Sequence, residues 1–104
     1  MVTCSVRSMI EVTRFRLARE MNTAEFLERN AEYQQAFIYK QKGIVRRTVA
    51  SGLDGKWIAI TWWRSMKDAR RSTAEALTSP IAIEFSLLLE PDTIVTEYFK
   101  ELPG

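Results

Sequence analysis

The chain has 104 residues, 46% of them hydrophobic and 27% charged, with 15 basic against 13 acidic side chains, a net charge of +2, and no histidine. A chain of this length holds one domain, with a modest core covering roughly two thirds of the unfolded surface. The composition excludes disorder, a long membrane-spanning run and the clustered positive field that phosphate-backbone binding requires, so neither nucleic acid nor membrane is an expected partner.

Cys4 has no second cysteine for an intrachain disulfide, and the first eight residues lack the apolar segment of a secretory signal, which makes the cytoplasm the expected location. Residues 1–8 show no periodicity and are expected to form a flexible N-terminal tail ahead of a single domain over residues 9–102. Met9 to Leu17 reads as a strand: Ile10 and Val12 alternate with Glu11 and Thr13, and the change of parity at Phe15 and Leu17 suggests a bulge near Arg14. Asn22 and Glu25 have capping-box spacing, and Phe26, Leu27, Ala31, Gln34, Phe37 and Ile38 follow at helical intervals, predicting a helix from about Thr23 to Tyr39.

Gly43 closes the next connection, and Ile44 to Ala50 forms a second strand, with Val45 and Val49 on one parity and Ile44, Thr48 and Ala50 on the other. The turn signal Ser51-Gly52-Leu53-Asp54-Gly55 joins it to a third strand, Lys56 to Trp63, as an antiparallel hairpin. Ser65 and Asp68 have capping spacing again, so a helix begins at Met66 with Ala69, Ala76 and Leu77 on its buried side. Ser79-Pro80 then opens a second helical segment running to Leu89, and Thr93 to Lys100 alternates as a fourth strand.

Strand, helix, strand, strand, helix, strand is the split βαβ order, which defines an α+β, ferredoxin-like βαββαβ domain with a four-stranded antiparallel sheet and helices on one face. Trp57, Ala59, Thr61 and Trp63 share one parity of the third strand while Ile58, Ile60 and Trp62 share the other, so both faces call for burial. Four strands spaced about 4.8 Å apart and about 20 Å long present roughly 400 Å², the scale of the largest apolar patches monomers tolerate. A second copy covering the free sheet face is the expected solution, so the expected assembly is a homodimer.

The residues MIEVTRFRL, FLERNAEYQQAF, KGIVRR and DGKWIAITWWRSMKDA, followed by a Pro-started helix and a last strand, carry a family likeness. From Met9 to about Leu102 the chain resembles the dimeric α/β-barrel superfamily, and within it the small proteins grouped with the antibiotic-biosynthesis monooxygenases. The resemblance implies the fold far more specifically than any activity, because the superfamily spans cofactor-free oxygenases of polyketide quinols, haem-degrading enzymes, isomerases, cyclases and ligand-binding modules. Haem-degrading members use an axial histidine in the short helix near Ile83-Glu84-Phe85, and this chain has no histidine, so haem is not expected.

Without histidine and with one cysteine, zinc spacings and Ser-His-Asp or Cys-His nucleophiles are excluded, no metal site is expected, and no Gly-rich phosphate loop is present. The remaining constellation is a pocket between the sheet and its helices. Trp57, Trp63 and Phe85 would supply aromatic walls, and Asn30, Tyr33 and Thr61 convergent polar groups. Asn30 falls beside the apolar stripe of the first helix and is expected to reach a cavity, although an amide bonded to a neighbour fits the same position. One of Arg46 and Arg47 can face inward to hold an anion, since strand alternation sends the other to the surface.

The leading expectation is a cofactor-free monooxygenase-like enzyme that binds an aromatic or quinol-type substrate and stabilises its deprotonated form. Without histidine the base must be a tyrosine or carboxylate of shifted pKa, and the sequence singles out no catalytic residue. The alternative is a non-catalytic dimeric ligand-binding or structural protein of the same fold, with its pocket filled by Trp57, Trp63 and Phe85.

Overall fold

The computed structural model describes residues 8–103, so the expected tail lies, apart from Ser8, outside the described residues. Seven elements follow in order: β1 (Met9–Phe15), α1 (Thr23–Ala36), β2 (Ile44–Ser51), β3 (Trp57–Trp63), α2 (Met66–Ala76), α3 (Pro80–Ser86) and β4 (Val95–Lys100). Single 3-10 turns, Ile38–Lys40 and Pro91–Thr93, precede β2 and β4. The strands form one antiparallel sheet in the order β2-β3-β1-β4, with both parallel-related connections passing over one face. This is the ferredoxin-like arrangement expected from the element order.

Register explains which side chains meet the helices. β1 pairs with β3 without interruption from Met9↔Trp63 to Phe15↔Trp57, so no bulge occurs at Arg14 and alternation runs unbroken through β1. Glu11, Thr13 and Phe15 therefore share the helix-facing side with Trp57, Ala59, Thr61 and Trp63. The irregularity falls instead in β2, where Ile44 pairs with Trp63 but Arg46 pairs with Trp62, leaving Val45 as the extra residue. Val45 is accordingly turned out to solvent. Past the bulge, Arg47 and Val49 face the helices while Arg46, Thr48 and Ala50 face the open side, as expected of Val49, Thr48 and Ala50; Ile44, expected with Thr48 and Ala50, lies on the helix-facing side instead.

The helices depart from expectation at their ends. α1 starts under the Asn22 cap, whose side chain accepts from the Glu25 N–H at 2.8 Å, but stops at Ala36. Phe37 and Ile38 are consecutive and both buried, and the chain tightens into a 3-10 turn that lets both reach the core. The buried stripe runs through Phe26, Asn30, Tyr33 and Phe37, so Leu27 and Ala31, expected on it, lie exposed. In α2, capped by Ser65 on the Asp68 N–H, Ala69 and Ser72 are buried, whereas Leu77 is exposed.

α3 opens with Pro80 at its start, but the Ser79 side chain makes no capping bond. It also ends at Ser86 rather than Leu89. Leu88 and Leu89 peel off toward the sheet, held by Ala18 N–H to Leu88 O and Glu90 N–H to Arg16 O, both 2.8 Å. The main core unites Phe15, Phe26, Trp57, Ala59, Phe85, Leu88 and Leu89, with Phe26 edge-on to Trp57 at 4.9 Å. Among the described residues, no helix is long and apolar enough to cross a membrane.

Candidate functional site

The helix-facing side of the sheet is not filled to its edge. A cavity of about 480 Å³ lies between β1 and β3 on one side and α2 and α3 on the other. Its floor is Glu11, Thr13, Ala59, Thr61 and Trp63, its far wall is Ser72, Thr73, Ala76 and Ala82, and Tyr33, Phe37 and Phe85 close it laterally. The small residues of α2 and α3 leave this space because they bring backbone, not side chain, toward the sheet. Leu77, expected in the core, borders the cavity while remaining 75% exposed, which puts it at the mouth. The volume falls within the range of small-molecule sites, about 300 to 1,000 Å³.

Two charged side chains border this cavity. Arg47 enters from β2 because the Val45 bulge turns it inward. Its Nη1 donates to Asn30 Oδ1 at 2.6 Å and to Gln34 Oε1 at 2.8 Å, and its guanidinium carbon lies 5.3 Å from the Tyr33 ring centre and 5.5 Å from that of Phe85. Tyr33 and Phe85 are themselves stacked at 4.1 Å and 6°. Burial pushes the Arg47 pKa down from its ordinary value, against the opposing pull of Tyr33, Tyr39 and Glu11. An arginine nevertheless stays charged in a protein, so this is a fixed, partly buried cation.

The other charge is Glu11, the carboxylate among the residues bordering the cavity. The Trp63 indole Nε1–H donates to its Oε1 at 2.8 Å. Burial raises the Glu11 pKa above its ordinary value, and the Trp63 hydrogen bond and the Arg47 charge partly counter that rise. Tyr33 is pushed up to about 12, mainly by burial, so its phenol remains protonated across the neutral range.

The sequence candidates thus divide. Tyr33, Arg47, Thr61, Trp63 and Phe85 border the cavity. Asn30 is buried, but it sits behind Arg47 as its hydrogen-bond acceptor and does not border the cavity as expected. Trp57 packs in the main core, and Arg46 lies on the open sheet face with its guanidinium carbon 4.1 Å from the Trp62 ring centre. Neither meets the cavity. Sequence reasoning passed over Glu11 because it looked like the solvent phase of an alternating strand. The available signal was Phe15: with alternation kept unbroken, Glu11 shares a face with a core phenylalanine.

No family model and no curated protein matches the chain. Among solved structures, it is similar to a variant of SnoaB, a cofactor-independent oxygenase from Streptomyces nogalater, with a TM-score of 0.73 and 26% identity over 93% of this chain and 95% of that one. A second SnoaB structure aligns with a TM-score of 0.63 and 23% identity, covering 94% of each chain. A dimeric ferredoxin-like protein from an uncultured marine organism aligns with a TM-score of 0.70 over 94% of this chain and 98% of that one, at 6% identity, a likeness of fold alone. With the observed strand order, these likenesses show that the chain has a ferredoxin-like fold shared with dimeric ferredoxin-like proteins, and that a cofactor-independent oxygenase is among the structures it resembles.

Proposed function

We propose that the protein is a cofactor-independent, monooxygenase-like enzyme that binds a hydroxylated aromatic or quinol-type substrate in the cavity under α2 and α3. The observation that carries this reading is Arg47: a partly buried cation at the wall of an aromatic-lined cavity, held by Asn30 and Gln34 and flanked by Tyr33 and Phe85. A fixed guanidinium in a partly desolvated site favours the enolate or phenolate form of a bound substrate, and an electron-rich anion of that kind can reduce dioxygen itself. The resemblance to SnoaB supports the same class of chemistry.

Electron balance narrows the substrate. Dioxygen must take four electrons to end as one inserted oxygen and one water, and without a reductant all four come from the substrate. Oxidation of a ring CH2 to a C=O satisfies this: the carbon gains one oxygen, and its two hydrogens leave with the other as water. A polycyclic aromatic ketone with an enolisable ring CH2 fits both this balance and the aromatic walls. Tyr33 and Phe85 already stack against each other, so they present an edge and a flank to the substrate and not an open slot for its rings.

The assembly proposed is a homodimer through the open sheet face. Ile10, Val12, Ile58, Ile60, Trp62, Val95 and Phe99 project there, with no helix of this chain above them. Dimeric ferredoxin-like proteins among the similar structures support this. The enzymatic reading is tested by oxygen uptake with a panel of hydroxylated polycyclic ketones, comparing the wild type with Arg47→Met. Uptake that depends on Arg47 is expected; uptake no faster than in buffer for every compound would sink the reading and favour a ligand-binding role.

A further inference from the structure

The register of the sheet aligns three side chains in one row. Glu11 of β1 pairs with Thr61 of β3, and Thr61 pairs on its other side with Arg47 of β2, so carboxylate, hydroxyl and guanidinium cross the floor of the cavity in that order. With strands about 4.8 Å apart, the backbones carrying Glu11 and Arg47 stand about 10 Å apart. Among the described residues no salt bridge joins the two, and Thr61 lies between them. The gap suits a polar atom of a bound molecule, flanked by an anion and a cation.

We infer that Glu11 is the proton acceptor of this site, taking the acidic hydrogen of a bound aromatic ketone or phenol while Arg47 holds the resulting oxyanion. The inference rests on the cavity being the substrate site, as proposed above. In the step, a substrate C–H or O–H bond breaks, its electron pair stays on the substrate, and an O–H bond forms at a Glu11 carboxylate oxygen. The site begins with one negative and one positive charge and ends with the same two, the negative one having moved from carboxylate to substrate. No new charge is created in a poorly solvated place, which is the arrangement that keeps such a transfer inexpensive.

Other cavity groups fit the role less well. Tyr33 stays protonated, the hydroxyls of Thr61, Ser72 and Thr73 are far weaker bases, and Arg47 has no acceptor. Burial raises the Glu11 pKa, which makes its carboxylate a stronger acceptor than an exposed one. The Trp63 indole, itself 1% exposed, acts as a positioning residue: its single N–H fixes the carboxylate against the floor.

The experiment separates proton removal from oxygen chemistry. Anthrone, a tricyclic ketone with one acidic ring CH2, is incubated anaerobically with the full-length protein in deuterated buffer, and exchange at that CH2 is followed by NMR. Wild-type protein is expected to accelerate exchange, with a rate that falls on the acid side as Glu11 becomes protonated. Glu11→Gln, which keeps the side-chain shape and an acceptor for Trp63, should lose roughly 100-fold or more in rate and lose the acid limb, while anthrone affinity by fluorescence changes less than about threefold. Glu11→Asp should retain the acid limb at a reduced rate. Exchange in Glu11→Gln within about threefold of wild type, or no acceleration by the wild type, would overturn the assignment. Glu11-dependent exchange without oxygen uptake by any compound would leave the proton acceptor standing and remove the oxygenase reading.

Discussion

Asn30→Ala tests whether the first helix serves the site through Arg47. Asn30 is 8% exposed and gives its Oδ1 to the guanidinium at 2.6 Å, so water has little room to replace the lost acceptor. A hydrogen bond to a charged group contributes about 1.5 to 3 kcal/mol, and Gln34, at 2.8 Å from the same nitrogen, keeps the cation from being fully abandoned. The expected loss is therefore near the lower figure, about 1.5 kcal/mol, or about 6 to 12 °C in Tm for a domain of this size. Tm should be compared at matched protein concentration, because a dimer melts according to its concentration. The decisive measurement is a double-mutant cycle with Arg47→Met in urea: once the guanidinium is gone, Asn30→Ala should cost less than half as much. Costs that add to within about 0.3 kcal/mol would mean that Asn30 does not act through Arg47, and the account of how the cation is held would fail.

Glu11→Gln should alter stability as well as exchange. Because burial raises the Glu11 pKa, the folded protein holds that proton more tightly than the unfolded chain, and wild-type stability falls as pH rises from the ordinary carboxylate value through the raised one. Glu11→Gln should therefore gain on the wild type across that window in urea titrations; a mutant-minus-wild-type stability difference that stays flat or falls as pH rises would contradict the desolvation of the charge. Gly43→Ala should destabilise by more than about 1 kcal/mol, read as a shifted urea midpoint, because Gly43 has φ +86° and an added Cβ would run into the Asp68 side chain that pairs with Arg71 at 2.7 Å. An unchanged midpoint would show that the α2 cap adjusts freely. Trp62→Glu, on the open sheet face, should convert a dimer to a folded monomer by light scattering; a wild type already monomeric at micromolar concentration would refute the proposed interface.

Element order, the β2–β3 hairpin and both capped helices were legible because each rests on local chemistry: alternation, turn residues, and an oxygen placed three residues before an acid. The cavity was less legible because it depends on register. One extra residue, Val45, decides that Arg47 and not Arg46 points inward, and nothing in Ile44 to Ala50 marks Val45 as the bulge. In β1 the error ran the other way: a bulge was expected at Arg14 to reconcile Phe15 with Ile10 and Val12, whereas the strand keeps its alternation and puts a partly buried Glu11 on the same face as Phe15. A carboxylate on a core face breaks the local pattern, and candidate functional positions are where local rules are expected to fail. Asn30 was expected beside the buried stripe and at a cavity; it is buried, but it meets Arg47 instead of the cavity, and that partner, 17 positions away on β2, could not be inferred from helix spacing.

Tyr39, in the tight turn after α1, lies beside the backbone of Arg47. Its hydroxyl accepts from the Arg47 N–H at 3.0 Å and donates to the Arg47 carbonyl at 3.3 Å, so one phenol satisfies both polar groups of that residue on the outer border of β2. An outermost strand with free amide and carbonyl groups is a template on which another chain can add a strand. Here that template is blocked at its middle by a side chain from the same molecule. Growth by strand addition is thereby opposed at β2, while association through the broad apolar face of the sheet is left open, so the same tyrosine that steadies the backbone of Arg47 also favours closed pairs over open-ended stacking.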